Sequence, residues 1–300
     1  MSISLGVDLG GTKIEVVALN EHGEIVQRKR VATPQGGYQA SLQAIARLVL
    51  TLEEELGLSG TVGIGVPGSI SPATGLIRNA NSTCLNGNTL KQDIEHLLAR
   101  PVAVSNDANC FALSESTDGA AAGASSVFAV IIGTGTGAGL VIDGRVINGA
   151  NGIAGEWGHN PLPWPNSLEY PGSDCWCGLQ GCIETWLSGP GMARDHQEST
   201  GILMSTDSIV AASQDGNQQA EATLQRYEHR LARALAQTIN VLDPEVIVLG
   251  GGMSNIKRLY TTVPATWGAY IFSDCVNTRL VQPMYGDSSG VRGAAWLGQT

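Results

Sequence analysis

The 300-residue sequence has little of what marks secreted, membrane or nucleic-acid-binding proteins. Its 17 lysines and arginines face 27 acidic residues, giving a net charge of −10, whereas a protein that grips a nucleic-acid backbone normally presents a basic stripe. Six cysteines are too few for a disulfide scaffold. No apolar run reaches the roughly 18 residues of a membrane span, and no basic segment of a signal peptide precedes Asp8. We therefore expect a cytoplasmic protein without nucleic-acid or membrane partners.

Glycine and apolar residues are what the sequence has in abundance. Hydrophobic residues make up 43% and charged residues only 15% of the chain, so a sizeable core can form. The 39 glycines are nearly double the average usage of about 7%. They cluster in short runs without a three-residue period, which excludes collagen and indicates tight turns or loops that hold a ligand.

Alternating strand and helix patterns predict an α/β protein. A strand, a glycine turn, a strand and a hairpin occur near the amino terminus and again after Val127, with the hairpin glycines Gly23 and Gly144 lying 121 residues apart. This repeat favours a duplicated unit, although hairpins with glycine turns are common. The main predicted strands are Ser2–Leu9, Lys13–Leu19, Ile25–Arg30, Val62–Val66, Val102–Val104, Val127–Ile132 and Val246–Leu249, and the main predicted helices are Tyr38–Leu56 and Gln219–Leu242.

Three glycine loops follow predicted strands: Asp8–Lys13, Gly133–Gly139 and Gly250–Gly252. Glycines let backbone amides converge on phosphate oxygens, so the three loops together indicate a nucleotide site. In the first loop, Asp8 is suited to hold a hydrated Mg²⁺. The alternative is a tight hairpin that needs glycine for positive φ. A Walker motif is absent, and the G-x-G-x-x-G string at 63–68 contains Pro67 and is not followed by an amphipathic helix, which argues against a dinucleotide fold.

Three cysteines lie within eight residues, at Cys175, Cys177 and Cys182. With His159 as the fourth ligand, they would form a Cys₃His site for a structural zinc ion. The alternative is a group of buried thiols beside a core histidine. The other cysteines, Cys84, Cys110 and Cys275, are expected to pack as small hydrophobic residues.

Several carboxylates flank these motifs. Asp107 follows a strand and begins a predicted helix, where it could act as an N-cap or, facing phosphate loops, as a general base. Asn106 suits a sugar hydroxyl. Glu156 and Glu184 bracket the cysteine cluster and, with His159, could clamp a polyol, although each alone would more often be a surface carboxylate.

Taken in order, these motifs resemble the ROK family of repressors, open reading frames and kinases over residues 5–295. The resemblance implies an α/β, actin- and hexokinase-like (ribonuclease H-like) duplicated fold, with two lobes, a cleft between them and a small zinc knuckle. It implies a small lobe at 1–117, onto which a helix at about 288–300 packs back, and a larger lobe at 118–287 that carries the zinc loop. A homodimer is also expected.

The resemblance further implies an ATP-dependent kinase that phosphorylates the 6-hydroxyl of a hexose, with Asp107 as the base. Within the family, the segments 79–83, 85–87, 155–163 and 286–290 look most like those of bacterial fructokinases of the manno(fructo)kinase type. This resemblance implies fructose as the substrate and mannose as a further one, although Cys84 stands where fructokinases usually have Trp. The alternatives are a glucokinase, an N-acetylhexosamine kinase or a non-catalytic sugar sensor; the sensor is disfavoured because the chain opens directly on the first phosphate strand. The implied sugar ligands are Gly68, Asn81, Asn106, Glu156, His159 and Glu184; the implied ligands of ATP and Mg²⁺ are Asp8, Gly10, Gly11, Thr12, Lys13, Gly133, Thr134, Gly135, Thr136, Gly137, Gly250, Gly251 and Gly252; and the implied zinc ligands are His159, Cys175, Cys177 and Cys182.

Overall fold

A computed structural model describes residues 2–35 and 37–299. Strands and helices alternate along the chain, as the sequence predicts. The strands are β1 (Ser4–Leu9), β2 (Lys13–Leu19), β3 (Ile25–Ala32), β4 (Thr61–Val66), β5 (Ser69–Ile70), β6 (Ile77–Arg78), β7 (Ala103–Asn106), β8 (Ser126–Ile132), β9 (Thr136–Ile142), β10 (Arg145–Val146), β11 (Val246–Gly250) and β12 (Arg279–Val281). The α-helices are α1 (Gly37–Leu56), α2 (Leu90–Leu98), α3 (Asp107–Thr117), α4 (Ile183–Leu187), α5 (Gly189–Thr200), α6 (Thr206–Gln214), α7 (Gln218–Leu242), α8 (Leu259–Trp267) and α9 (Ser289–Leu297).

Two of the predicted loops differ from expectation. The second glycine loop is shorter than Gly133–Gly139, because β9 already begins at Thr136 and residues 136–139 belong to the strand. The third loop is followed by a four-residue 3-10 helix, Gly252–Asn255, and α8 begins only at Leu259. The third loop therefore leads into a 3-10 helix and not directly into an α-helix.

The two large sheets have the same strand order, β3-β2-β1-β4-β7 and β10-β9-β8-β11-β12. In the first, β1 pairs with β4 and β4 with β7, both in parallel. In the second, β8 pairs with β11 and β11 with β12, again in parallel. The predicted hairpins β2–β3 and β9–β10 are both antiparallel. The duplication suggested by the glycine turns is thus confirmed at the level of topology.

The chain forms two compact units, which we call unit 1 (Met1–Ser125, Gly139–Ala154 and Pro283–Thr300) and unit 2 (Ser126–Ala138 and Gly155–Gln282). The lobe bounds that the resemblance implies, with a boundary at 117/118 and a helix at about 288–300 that packs back on the small lobe, stay a prediction; their ends at Met1 and Thr300 lie outside the described residues. No helix among the described residues is long and apolar enough to cross a membrane.

In unit 1, helix α9 packs against β1 and β4 at close backbone distance. A Cβ on Gly6 would lie 2.0 Å from the carbonyl oxygen of Val291, and one on Gly63 would lie 1.9 Å from that of Ala294. Only glycine permits this approach. Apolar side chains of α1 are buried in the same core as those of β1 and β4. The carboxyl ends of these strands are thereby held in place.

In unit 2, the 25-residue helix α7 packs against α5, α6 and α8. Its amino terminus is capped by Asn217, whose side chain accepts from the amides of Gln219 and Ala220. The apolar stripe of α7 is buried, and so are the side chains of β8 and β11. The loops that follow β8 and β11 are therefore attached to a rigid base.

Candidate functional site

The carboxyl edge of the unit 1 sheet brings two carboxylates together. Asp8 lies near the end of β1, and Asp107 directly follows β7, with only β4 between these strands. Since the three strands are parallel and Asp8 is in register with Gly65 and Gly65 with Ser105, both aspartates lie on the same edge, their strands about 10 Å apart. These two residues therefore lie at one end of the unit 1 sheet.

Asp8 is an electrostatically unfavourable carboxylate in this setting. Burial and the negative charge of Asp107 raise its pKa from 3.8 to about 6, although Lys13 acts in the opposite direction. A like charge and partial desolvation both disfavour the ionised form. A cation bound here would offset both effects, so the donor chemistry of this edge fits Mg²⁺, which prefers carboxylate oxygens.

The cap of helix α3 is Asn106 and not Asp107. The Oδ1 atom of Asn106 accepts from the amide of Ala108 at 2.8 Å, and its Nδ2 donates to the carbonyl oxygen of Gly68 at 3.0 Å. Asp107, the first helical residue, is exposed, and its Oδ1 also accepts from the amide of Ala108. The N-cap alternative for Asp107 is therefore wrong, and its carboxylate reaches solvent at the positive end of a helix.

The glycines of the first loop are required by close contacts with neighbouring atoms and not by a positive φ. Gly10 donates its N–H to the carbonyl oxygen of Lys13, and neither Gly10 nor Gly11 is among the described residues with positive φ. A Cβ on Gly10 would lie 2.9 Å from the carbonyl oxygen of Lys13, and one on Gly11 would lie 3.3 Å from Ser82 Oγ. Thr12 is exposed, which leaves its hydroxyl accessible. The positive-φ alternative does not describe this loop.

The turn that carries Asn81 is held by a neighbouring amide. Asn86 Oδ1 accepts from the N–H of Ala80 at 2.9 Å, and Asn86 Nδ2 donates to the carbonyl oxygen of Ala80 at 3.0 Å. A Cβ on Gly68, whose φ is +80°, would lie 2.7 Å from the nitrogen of Ala80. Gly68 therefore packs closely against the turn of unit 1 that carries Asn81, and Asn81 is exposed on that turn.

In unit 2, the second glycine loop is joined to Glu184. The Oε2 atom of Glu184 accepts from the N–H of Thr136 at 2.9 Å, and its Oε1 accepts from Trp176 Nε1 at 2.7 Å. A Cβ on Gly135 would lie 2.9 Å from Oε2. Thr136 is buried and its amide is bonded to Glu184, so Gly133, Thr134 and Gly135 form the loop itself, and Thr136 and Gly137 begin the strand.

A cavity of about 650 Å³ in unit 2 is bordered by two of the predicted glycine loops. Gly133 and Thr134 line it on one side, and Gly252 with Met253 and Ile256 on another. A Cβ on Gly133 or Gly252 would meet nothing within 4 Å, so both glycines border open space. The volume is that of a site for a small molecule or cofactor. The remaining lining residues are Gly189, Pro190, Ala193, Ser205, Thr206, Asp207, Val210, Ala211, Gln214 and Asn255.

The predicted zinc ligands converge. One ligand atom from each of His159, Cys175, Cys177 and Cys182 lies within 4.8 Å of the others. His159 Nδ1 is 3.6 Å from Cys175 Sγ, and the Sγ atoms of Cys177 and Cys182 are also 3.6 Å apart. Zinc bonds of about 2.3 Å to sulfur and 2.0 Å to nitrogen place tetrahedral ligands about 3.8 and 3.5 Å apart. The donor set and its spacing therefore fit zinc.

The fourth ligand is held by a short helix packed on β9. His159 ends the 3-10 helix Trp157–His159, which begins after Glu156. Trp157 Nε1 donates to the carbonyl oxygen of Gly137, and a Cβ on Gly158 would lie 2.0 Å from that of Thr136. Because Nδ1 of His159 faces Cys175, its Nε2 remains for a second partner. Glu156 is half-buried on the same turn.

Not every cysteine follows the sequence prediction, and some neighbours of the site have no sequence signal. Cys110 is buried as expected, but Cys84 and Cys275 are exposed, so the prediction that they pack as core residues is wrong. Trp176, which contacts both Glu184 and the ring of His159, carries no recognisable signal. Pro190, at the first turn of α5, marks a helix start that could have been found, but not its place in the cavity wall.

Known proteins are similar to this chain over nearly its whole length. The sequence model of the ROK family matches residues 4–300. The chain is 40% identical over 296 residues to an N-acetyl-D-glucosamine kinase from Vibrio cholerae, covering 97% of this chain and 98% of that protein.

Solved structures agree on the fold. A ROK hexokinase from Thermus thermophilus matches with a TM-score of 0.87 at 31% identity, covering 98% of this chain and 97% of that one. A ROK family glucokinase from Streptomyces griseus, solved with glucose and AMPPNP, matches with a TM-score of 0.79 at 26% identity, covering 99% of both chains. The predicted α/β fold with two lobes is confirmed, and the chain belongs to the ROK family.

Proposed function

We propose that this chain is an ATP-dependent kinase that phosphorylates the 6-hydroxyl of N-acetyl-D-glucosamine. The observation that carries the proposal is its 40% identity, over 97% of the chain, to a protein named for that activity. A preference for fructose gains no support from these names, whereas an N-acetylhexosamine kinase, the alternative drawn from the sequence, agrees with them. The homodimer, the cytoplasmic location and the individual site residues stay predictions.

ATP is the proposed second substrate, with its nucleoside in the unit 2 cavity. The cavity combines apolar walls such as Met253 and Ile256 with polar groups such as Asn255, a lining suited to a purine nucleoside. The amides of the second glycine loop, from Gly133 to Gly135, border it and would hold phosphate oxygens. Mg²⁺, when bound, would neutralise phosphate charge, and Asp8 is the residue proposed to hold it.

Asp107 is the proposed general base. Its carboxylate is exposed at the first position of α3, where the helix N-terminus favours negative charge. In phosphoryl transfer such a carboxylate orients the attacking hydroxyl and accepts its proton, which is typically worth about 10²–10⁴-fold in rate. Asn106 fixes the start of the helix, and thereby the place of Asp107, through its bonds to Ala108 and Gly68.

The residues proposed to bind sugar hydroxyls are Gly68, Asn81 and Asn106 in unit 1, and Glu156, His159 and Glu184 in unit 2. In unit 2 these side chains are attached to the zinc loop. A structural zinc ion fixed by Nδ1 of His159 and the three cysteines would leave Nε2 of His159 to face a sugar hydroxyl. The proposed role of zinc is therefore to set the orientation of this imidazole.

The proposal is tested by measuring ADP release with a panel of sugars. N-acetyl-D-glucosamine should give a kcat/KM at least tenfold above those of glucose, mannose, fructose and N-acetylmannosamine. A higher value for fructose would restore the fructokinase prediction. ADP release at background with every sugar would instead favour a non-catalytic sensor.

The zinc site is tested by removing one ligand. Cys177→Ser should lower bound zinc from one atom per chain to a small fraction, because an alcohol binds zinc far more weakly than a thiolate, and should raise the KM for the sugar. Metal analysis of the purified proteins and the same ADP assay measure both effects. Cys84→Ser and Cys275→Ser, at the two exposed cysteines outside the cluster, are matched controls and should leave zinc content unchanged.

A further inference from the structure

Unit 2 contains a buried ionic network that the proposed chemistry does not use. Arg233 of α7 and Glu169, on the loop between Pro161 and Pro171, are both buried. The Nη2 atom of Arg233 donates to both carboxylate oxygens of Glu169, at 2.8 and 2.9 Å. Arg230 adds a bond from Nε to Oε1 of Glu169 at 2.8 Å. Burial by itself would raise the pKa of Glu169, but the bonds from these donors lower it, so the carboxylate is ionised.

Arg233 also binds the backbone of that loop. Its Nη1 donates to the carbonyl oxygen of Pro163 at 3.2 Å and to that of Trp164 at 2.5 Å. Trp164 has a φ of +48°, a conformation that a bulky side chain rarely adopts and that persists only where the surroundings fix it. One guanidinium thus holds a strained backbone turn and a carboxylate together.

The same segment is attached to the zinc loop at its other end. Leu162 donates its N–H to the carbonyl oxygen of Gly181 at 2.9 Å, Pro161 forms a bridge with Cys182, and Ile183 donates to the carbonyl oxygen of Asn160 at 2.8 Å. Residues 160–164 therefore run from His159 directly to the two carbonyls that Arg233 binds. Trp164 lies five residues from His159 along the chain.

We propose that Arg233 and Glu169 are positioning residues for sugar binding: they fix the 160–164 segment, and through it the place of His159 and Glu156. This inference rests on the proposed function for its kinetic consequence, since it assumes that these two side chains contact the sugar. Arg233 matters here for the shape of its guanidinium: Nη2 binds the carboxylate while Nη1 binds the two carbonyls. A lysine would have to reach all of these acceptors from a single nitrogen atom.

The network offers a matched control on the same helix. Arg226 donates to Oδ2 of Asp195 at 2.7 Å and to Ser199 Oγ at 2.7 Å, which joins α7 to α5. None of its hydrogen bonds within the described part of the chain reaches the 160–171 loop. Asp195 Oδ1 also accepts from Arg230 Nη1 at 2.8 Å, so Arg226→Gln perturbs the same network. It removes no bond of Arg233 or Glu169, the two residues that we call the anchor.

The test compares Arg233→Lys and Glu169→Gln with Arg226→Gln. For the first two variants we expect the KM for N-acetyl-D-glucosamine to rise at least tenfold, with kcat and the KM for ATP within twofold of the wild type. Arg226→Gln should leave all three values unchanged. Amide hydrogen exchange in peptides covering 161–171 should accelerate at least tenfold in the two anchor variants and not in the control.

Three other results would contradict the positioning role of Arg233 and Glu169. A sugar KM within twofold of the wild type would overturn it, and so would an equal rise in both KM values or unchanged exchange in the loop. Should Arg233→Lys fail to fold, Glu169→Gln carries the same comparison. If the wild type phosphorylates no sugar, the proposed function fails separately. Loop exchange, together with the Kd for the sugar from tryptophan fluorescence, then decides whether the anchor exists.

Discussion

The first and second glycine loops follow equivalent strands, β1 and β8, and yet their surroundings differ. Leu9 and Ile132 end the two strands, and β2 and β9 each begin four residues later, at Lys13 and Thr136. One residue before the strand end, the first loop has Asp8 where the second has Ile131. The first loop is thus flanked by ionisable groups, and the second borders a cavity with apolar walls.

This difference shows how one topological element serves two chemical purposes. Parallel strands end at one edge of a sheet, so each unit offers the same place for a ligand. At the first loop, a half-buried carboxylate and Lys13 suit a charged ligand and a metal ion. At the second, Met253 and Ile256 suit an apolar group. The topology supplies the place, and the side chains around it decide the ligand.

The largest expected effect concerns Asp107, at the edge of the unit 1 sheet beside the first loop. Asp107→Asn should lower kcat by about 10²–10⁴-fold, because an amide cannot accept the proton of the hydroxyl. The melting temperature should change little, since the capping bonds of Asn106 remain. Steady-state kinetics and thermal unfolding measure both. Asp143→Asn, in the hairpin between β9 and β10, is the control; turnover of Asp107→Asn close to that of the wild type would remove the aspartate from the mechanism.

A smaller effect concerns stability, and it distinguishes the two loops because only the first follows a strand with an acidic residue, Asp8, at its carboxyl end. The pKa of Asp8 is raised from 3.8 to about 6 in the folded chain. The contribution of its neutral form is therefore fully present below pH 4 and is lost as the pH rises through about 6.

Asparagine at this position does not ionise. Without nucleotide or Mg²⁺, Asp8→Asn should thus unfold with a free energy about 1–3 kcal/mol above that of the wild type at pH 8, and the difference should shrink toward pH 4. Urea unfolding at several pH values gives the measurement. Asp215→Asn, at the exposed end of α6, serves for comparison. A difference that stays constant with pH would contradict the assignment.

The smallest expected effect concerns the cavity beside the second loop. Ala193→Phe places a large ring in the wall of the cavity and should raise the KM for ATP about tenfold, equivalent to roughly 1.4 kcal/mol of lost binding, with the KM for the sugar unchanged. Gln197→Phe, on the same helix and outside the cavity lining, should change neither value. An equal rise in both KM values would show that the cavity is not the nucleotide site.

Much of this architecture follows from local sequence signals. Strand and helix periodicity predicted β2 with its bounds and α1 to within one residue, because hydrophobic spacing reports which face is buried. The cysteine spacing predicted a four-ligand cluster, because a metal site requires ligands that a flexible, glycine-containing loop can bring together. Short patterns predicted element bounds less well. The second glycine loop was predicted to extend to Gly139, but β9 already begins at Thr136.

Other features depend on residues far apart in sequence. The sequence predicts Glu184 only as a sugar ligand, and in the structure its carboxylate joins Trp176 to the amide of Thr136. Arg233 lies 69 residues from the carbonyl group of Trp164 that it binds. No local sequence pattern predicts such a pair, because the residues around each partner are those of an ordinary helix or loop.

The order of strands, glycine loops and metal ligands was determined by the sequence alone, since backbone freedom, hydrophobic period and ligand spacing are local properties. Which polar groups meet was decided only by the tertiary structure. Packing brings Asp8 within range of the charge of Asp107 and aligns the guanidinium of Arg233 with two carbonyls and a carboxylate. Electrostatic and hydrogen-bond energies fall off within a few ångströms, so they are set by distances that exist only in the folded chain.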